Sequence, residues 1–149
     1  MDITIEHAKE SDQAYIDERI KKDLLDSEGA TWDKFFVAKH GTKTVAFGRI
    51  IDHGGYLEIA SLGVDYYYRK RGIGLEMLRF LIKTALENVP PKEVYLVTHI
   101  PDFFKKVGFG EIPTGPRELE YKRLNKCKLD ASKIKIMKFQ ENTQDKGAI

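Results

Sequence analysis

The chain has 149 residues, 42% of them hydrophobic and 32% charged, the size and balance of one globular domain that buries a core without disulfides or metal. Its 25 basic and 23 acidic residues leave a formal net charge of +2, which argues against nucleic acid as a partner because phosphate-driven binding needs a strongly basic domain or stripe. A single cysteine, Cys127, excludes an internal disulfide; no apolar run is long enough to span a bilayer and no signal peptide is read at the start, so the expected location is cytoplasmic, with no membrane partner.

In chain order, Ile3 and Ile5 suggest a short first strand, and Ser11 is placed to cap a helix running to about Leu25 with Tyr15, Ile16, Ile20 and Leu24 on its inner side. Asp26 to Thr31 read as a loop. Trp32 to Lys39 and Lys43 to Ile51 alternate or run apolar around His40-Gly41-Thr42, the pattern of a hairpin, and His53-Gly54-Gly55 turns the chain into a further strand, Leu57 to Val64. After the connection Asp65 to Tyr68 and the segment that follows it, Leu75, Leu78, Ile82, Ala85, Leu86 and Val89 recur at three- and four-residue steps, one apolar face of a helix that Pro90-Pro91 stops. Glu93 to Thr98 alternate as a strand, Pro113 to Pro116 make a loop, Arg117 to Asn125 read as a helix, and Ile134, Ile136 and Met137 to Phe139 as a last strand. Residues 141–149 are polar and aperiodic, a disordered tail beyond a single domain of residues 1–140. Strands and helices in this order imply an α/β (α+β) sandwich, a twisted, mostly antiparallel sheet with helices on both faces.

Between the strand ending at Val64 and the helix that follows lies Arg69-Lys70-Arg71-Gly72-Ile73-Gly74. It reads as an anion cradle: Gly72 and Gly74 let the backbone turn tightly and bring N–H groups to a ligand, the helix N-terminus favours negative charge, and three cations surround the spot. Neither the P-loop nor the GxGxxG pattern fits.

The spacing R-x-x-G-x-G, with a strand before it, an amphipathic helix after it and then Pro101-Asp102-Phe103-Phe104-Lys105-Lys106-Val107-Gly108-Phe109, resembles the GCN5-related N-acetyltransferases over roughly residues 33 to 112. That resemblance implies a GNAT-like fold whose two central strands splay apart, with acetyl-coenzyme A as co-substrate and no metal. Its pyrophosphate would sit on Arg69, Lys70, Arg71, Gly72, Ile73 and Gly74, and its pantetheine arm would pair like an added strand with the backbone of Leu62, Gly63 and Val64. Gly63 fits a bulge at that point. Tyr66, Tyr67 and Tyr68 either cover the coenzyme or wall the core.

Acetyl transfer to an amine needs a base, a polarised thioester carbonyl and a proton for the departing thiolate. Glu58 stands eleven residues before Arg69, the separation that places a general base in the histone-modifying branch of the family. Flanked by Leu57 and Ile59 it would be partly desolvated, a condition that suits a carboxylate to this work. Backbone N–H groups near Leu62 to Val64 would hold the carbonyl oxygen. Many family members carry a proton-donating tyrosine four residues before the Gly of Gly-Phe; here that residue is Phe104. Either the thiolate takes its proton from the zwitterionic intermediate or water, or Tyr95, His99 or Tyr121 replaces the donor. The pair Phe103-Phe104 would pack against the coenzyme, and with its surroundings it resembles the acetylglutamate-synthase-like branch. An amino-acid acceptor would need cations such as Lys34, Arg49, Arg117 or Lys122 for its carboxylates.

The expected protein is thus an acyltransferase, monomer or homodimer, that acetylates a primary amine of a small molecule. The alternatives are a protein N-terminus or lysine as acceptor, or a non-catalytic coenzyme-sensing domain.

Overall fold

Phe35 and Val37 on one strand and Phe47 on the next project from the same face of a sheet, because alternate residues of a strand share a face. Ile16 and Ile20 of the first helix close over them, and Tyr15, Leu25, Ala30 and Trp32 fill the margin of this cluster. The computed structural model describes residues 2–125 and 130–140, in two compact units, Met1–Lys92 and Glu93–Ile149.

The first unit contains β1 (Thr4–His7), α1 (Gln13–Lys22), β2 (Phe35–His40), β3 (Lys43–Asp52), β4 (Tyr56–Val64) and α2 (Ile73–Leu86). Its four strands are antiparallel and adjacent in sequence order. α1 covers the Phe47 face. α2 covers the other, where Phe36 meets Phe80 edge-on at 5.1 Å and Gly48 has no Cβ because one would lie 2.7 Å from Cδ1 of Leu81.

Both helices depart from the expected limits. Asp12, not Ser11, organises the start of α1: its carboxylate accepts the Lys9 N–H at 2.8 Å, takes the Lys39 ammonium at 2.7 Å and accepts the Thr44 hydroxyl at 3.0 Å. Leu24 lies beyond the helix with φ +54 and is exposed, so it is not an inner residue. On α2 the buried stripe is Ile73, Met77, Leu78, Leu81, Ile82 and Ala85. Leu86 and Val89 are exposed: the helix ends at Leu86 before its apolar period can turn Val89 inward.

The second unit contains β5 (Glu93–Thr98), α3 (Pro101–Lys105), β6 (Phe109–Glu111), α4 (Arg117–Asn125) and β7 (Lys135–Phe139). The strand order is β5-β7-β6, antiparallel throughout. β6 is a strand the sequence did not announce, since three residues carry no readable alternation. Cys127 and the expected tail at 141–149 lie outside the described residues.

Candidate active site

β4 runs into α2 through a turn that its own side chains shape. Asp65 accepts the Tyr67 N–H at 3.1 Å and winds Tyr66–Tyr68 into a 3₁₀ turn. Arg69 then folds back, its Nε donating to the Val64 carbonyl at 3.1 Å and its guanidinium pairing with Asp23 at 3.2 Å. Two left-handed residues follow, Lys70 at φ +62 and Gly72 at φ +81. Gly72 makes the turn that glycine permits, whereas Gly74 lies inside α2 and does not. Lys70 adopts its left-handed geometry without being glycine, which no motif signals.

Gly72 stands at the N-cap of α2, and no side chain caps the helix there. The first N–H groups of a 14-residue helix therefore combine with the positive end of its dipole next to Arg69, Lys70 and Arg71, all exposed. Tyr68 supports the cations from below: Arg71 lies over its ring at 5.4 Å, Lys43 at 5.1 Å, and its hydroxyl meets Nδ1 of His40 at 3.1 Å. Tyr66 and Tyr67 are 68% and 76% exposed, so neither walls the core.

The bulge in β4 lies at Ser61, two residues before the expected Gly63. Phe47 pairs with Gly63 and Arg49 with Ala60, which leaves one more residue on β4 than on β3 between the two pairs. Ser61, at φ +54, takes the irregular conformation. Gly63 is glycine for a different reason: a Cβ there would lie 2.5 Å from Cζ of the Phe47 ring.

Farther up β4, Glu58 is 1% exposed, and so is Arg49 on β3. Buried charges persist only when paired or hydrogen-bonded, and both are. Arg49 donates to Ser61 Oγ at 3.0 Å, to the Glu28 carbonyl at 2.8 Å and to the Asp26 carbonyl at 3.1 Å, and lies over Phe35 at 5.4 Å. Burial pushes its guanidinium below the ordinary value, and the charges of Asp26, Glu58 and Glu28 oppose that shift. Oε1 of Glu58 is 2.8 Å from Nε2 of His53, whose ring stacks on Tyr56 at 4.6 Å.

Phe103 and Phe104 belong to the second unit. Their rings meet edge-on at 5.1 Å, and Phe104, buried, continues to Phe109 at 6.2 Å and so to Phe139. Phe104 is thus a core residue of that unit. Of the alternative proton donors, His99 and Tyr121 are exposed. Tyr95 is held protonated above its ordinary range by burial and by the charge of Glu93. Tyr15, absent from the sequence reading as a polar group, has a buried hydroxyl without a hydrogen-bond partner among the described residues. Burial, with the charge of Asp65, pushes its phenol up to about 12. Among the described residues no cluster of histidine, cysteine and carboxylates could hold a metal ion, and no helix is long and apolar enough to cross a membrane.

Residues 31–111, more than half of the chain, match the acetyltransferase (GNAT) domain. The chain belongs to the GNAT family. Solved structures agree on the GNAT fold. N-acetylglutamate synthase from Neisseria gonorrhoeae, solved with coenzyme A and N-acetyl-glutamate, superposes with a TM-score of 0.74 at 14% identity over 95% of this chain. This chain spans only 36% of that one. Rv2747 from Mycobacterium tuberculosis, solved with CoA and NLQ, gives 0.74 at 20% identity over 93% of this chain and 99% of that one. A GNAT-family acetyltransferase from Staphylococcus aureus Mu50 gives 0.69 at 19% identity, covering 93% and 100%.

Within this GNAT chain no sequence motif points to His53, which the sequence shows only as part of a turn. The signal was present in the hairpin register. With Gly54-Gly55 as the loop, Ile51 faces Glu58, which sets His53 diagonally across from that carboxylate on the same face of the sheet. Arg49, expected as a cation for an acceptor, is instead consumed in holding residues 26–28. Lys34 remains exposed nearby, since a Cβ on Gly29 would find its Nζ at 3.7 Å and Nη1 of Arg49 at 3.9 Å.

Proposed function

We propose that this GNAT-family protein is an N-acetyltransferase that moves the acetyl group of acetyl-coenzyme A to the primary amine of a small molecule, an amino acid or a close derivative. The observation that carries the reading is the uncapped N-terminus of α2 ringed by Arg69, Lys70 and Arg71, which suits the coenzyme pyrophosphate. The bulge leaves Ser61 and Leu62 outside the ladder with β3 while Gly63 and Val64 stay paired with Phe47 and Ala46; Leu62, Gly63 and Val64 are assigned to the pantetheine arm and the thioester carbonyl on the family resemblance. Glu58 takes the proton of the attacking amine, the amine nitrogen bonds to the acetyl carbon, and the carbon–sulfur bond breaks to release the coenzyme thiolate. We take both units as parts of one domain, because the fold match spans both.

The amino-acid acceptor rests on the small molecules present in two of the superposed structures and on Lys34 as the cation for its carboxylate. A coenzyme-sensing domain without turnover is the second reading, favoured by the phenyl ring of Phe104 where a phenol would donate. Calorimetry with acetyl-coenzyme A should show binding that weakens about tenfold, or about 1.4 kcal/mol, when Arg69 and Arg71 become alanine. A screen of L-glutamate, L-glutamine, L-lysine and simple alkylamines for thiol release should give turnover that falls about 10²- to 10⁴-fold in Glu58→Gln. Binding without release on any amine would leave the sensing reading; no binding would dismiss both.

A further inference from the structure

A base that is 1% exposed cannot hand its proton directly to bulk water, yet it must be emptied after every acetyl transfer. A path toward solvent runs through His53: Oε1 of Glu58 is 2.8 Å from its Nε2, and the His53 side chain is 21% exposed against 2% for that of Glu58. The stacked Tyr56 ring, 17° from coplanar with the imidazole, fixes the plane of that ring. The charges around the pair are arranged by several elements. The charge of Glu58 acts on Arg49 of β3 against the lowering that burial imposes on the guanidinium, and Arg49 is itself tied to Asp26 at 3.6 Å. Asp52 at the end of β3 lies within electrostatic reach of His53 and is paired to Lys92 at 3.0 Å.

We infer that His53 is the positioning residue and proton outlet of the candidate base. The inference rests on the reading of Glu58 proposed above. The amine proton moves to the Glu58 carboxylate as the nitrogen attacks, then to Nε2 of the imidazole, and water removes a proton from the imidazolium. One proton has then passed from amine to solvent, and both side chains are restored. Imidazole suits this work because it binds and releases protons near neutral pH. The same bond orients the carboxylate, as a second group commonly does for a base.

The test uses the full chain, acetyl-coenzyme A and the amine that gives the fastest thiol release in the screen above. His53→Gln retains a side-chain N–H toward Glu58 but cannot accept a proton. Its kcat should fall roughly 10²-fold, the low end for acid–base groups, with KM for acetyl-coenzyme A unchanged. In His53→Ala, added imidazole should restore the rate in proportion to its concentration, and the pH profile should shift with the added buffer. A His53→Gln rate and pH profile equal to those of the parent would overturn the inference. So would a loss in His53→Ala that imidazole does not repair, because a purely structural contact is not rescued by a diffusible base. Glu58→Gln separates the two levels. Full activity there dismisses Glu58 as the base and the outlet with it, whereas an inactive Glu58→Gln beside an unaffected His53→Gln dismisses the outlet alone.

Discussion

At its C-terminal end β4 leads into a turn built from backbone N–H groups, two left-handed residues and exposed cations, while nearer its start it carries Glu58 sealed among Arg49, His53 and Tyr56. Charge has opposite consequences in the two places. Exposed cations add little to stability because water screens them, and that holds for Arg69, Lys70 and Arg71 even though Arg69 is paired with Asp23 and Arg71 lies over Tyr68. Buried charges are costly unless every partner is present, so Arg49 and Glu58 are part of the structure before they are part of any chemistry. Substitutions at the turn should therefore change binding with the fold intact, and substitutions at the buried cluster should change the fold first.

The strongest way to break that contrast is Arg49→Ala. It strands Asp26 and Glu58 without their buried cation and releases the carbonyls of residues 26 and 28, which should cost about 3–5 kcal/mol in urea unfolding. A loss below about 1 kcal/mol would mean that the cluster behaves like a surface pair. Next in size is Gly63→Ala, which forces a methyl group to within 2.5 Å of the Phe47 ring. Overpacking of this kind costs about 1–3 kcal/mol, and a melt unchanged from the parent would show that the ring gives way freely.

Arg69→Ala sharpens the other side. It removes one ion pair whose arginine side chain is 45% exposed, so its unfolding free energy should move by no more than about 0.5 kcal/mol, while acetyl-coenzyme A affinity falls severalfold. Equal losses in both would erase the distinction between turn and cluster. The narrowest effect, confined to acid pH, is read from the pH dependence at Asp12. Burial raises its carboxyl pKa, but hydrogen bonds from Lys39, the Lys9 N–H and Thr44, with the charge of Lys39, outweigh this and leave it below the ordinary 3.8. A carboxyl whose folded pKa is depressed stabilises the fold fully above the unfolded pKa and loses that contribution as pH falls through the folded one. Asp12→Asn should therefore flatten the stability curve below about pH 4 and leave the pH dependence above it unchanged; an acid limb identical to the parent's would assign that limb to other groups.

How much of this was legible in advance differs between the same two regions. The cradle is contiguous, so its residues could be read together as Arg69 to Gly74, and the strand and helix beside it follow from period-two and period-3.6 patterns. β5 and α4 were read at the limits the structure gives them. The end of α2 was read too far because three- and four-residue spacing continues in sequence after the helix has stopped, and β6 was missed because three residues do not establish a period.

Sequence by itself determined the order of the longer elements, the family and the cation-flanked turn, because each depends on neighbours along the chain or on one local pattern. Only the tertiary structure decided that Arg49 is a bolt for residues 26–28, that Ser61 and not Gly63 carries the bulge, and that His53 reaches Glu58. Those facts arise from pairing across β3 and β4 and from packing of α1 and its loop on one face. A cross-strand contact is set by register, and a one-residue shift, such as the bulge itself, redirects every side chain beyond it.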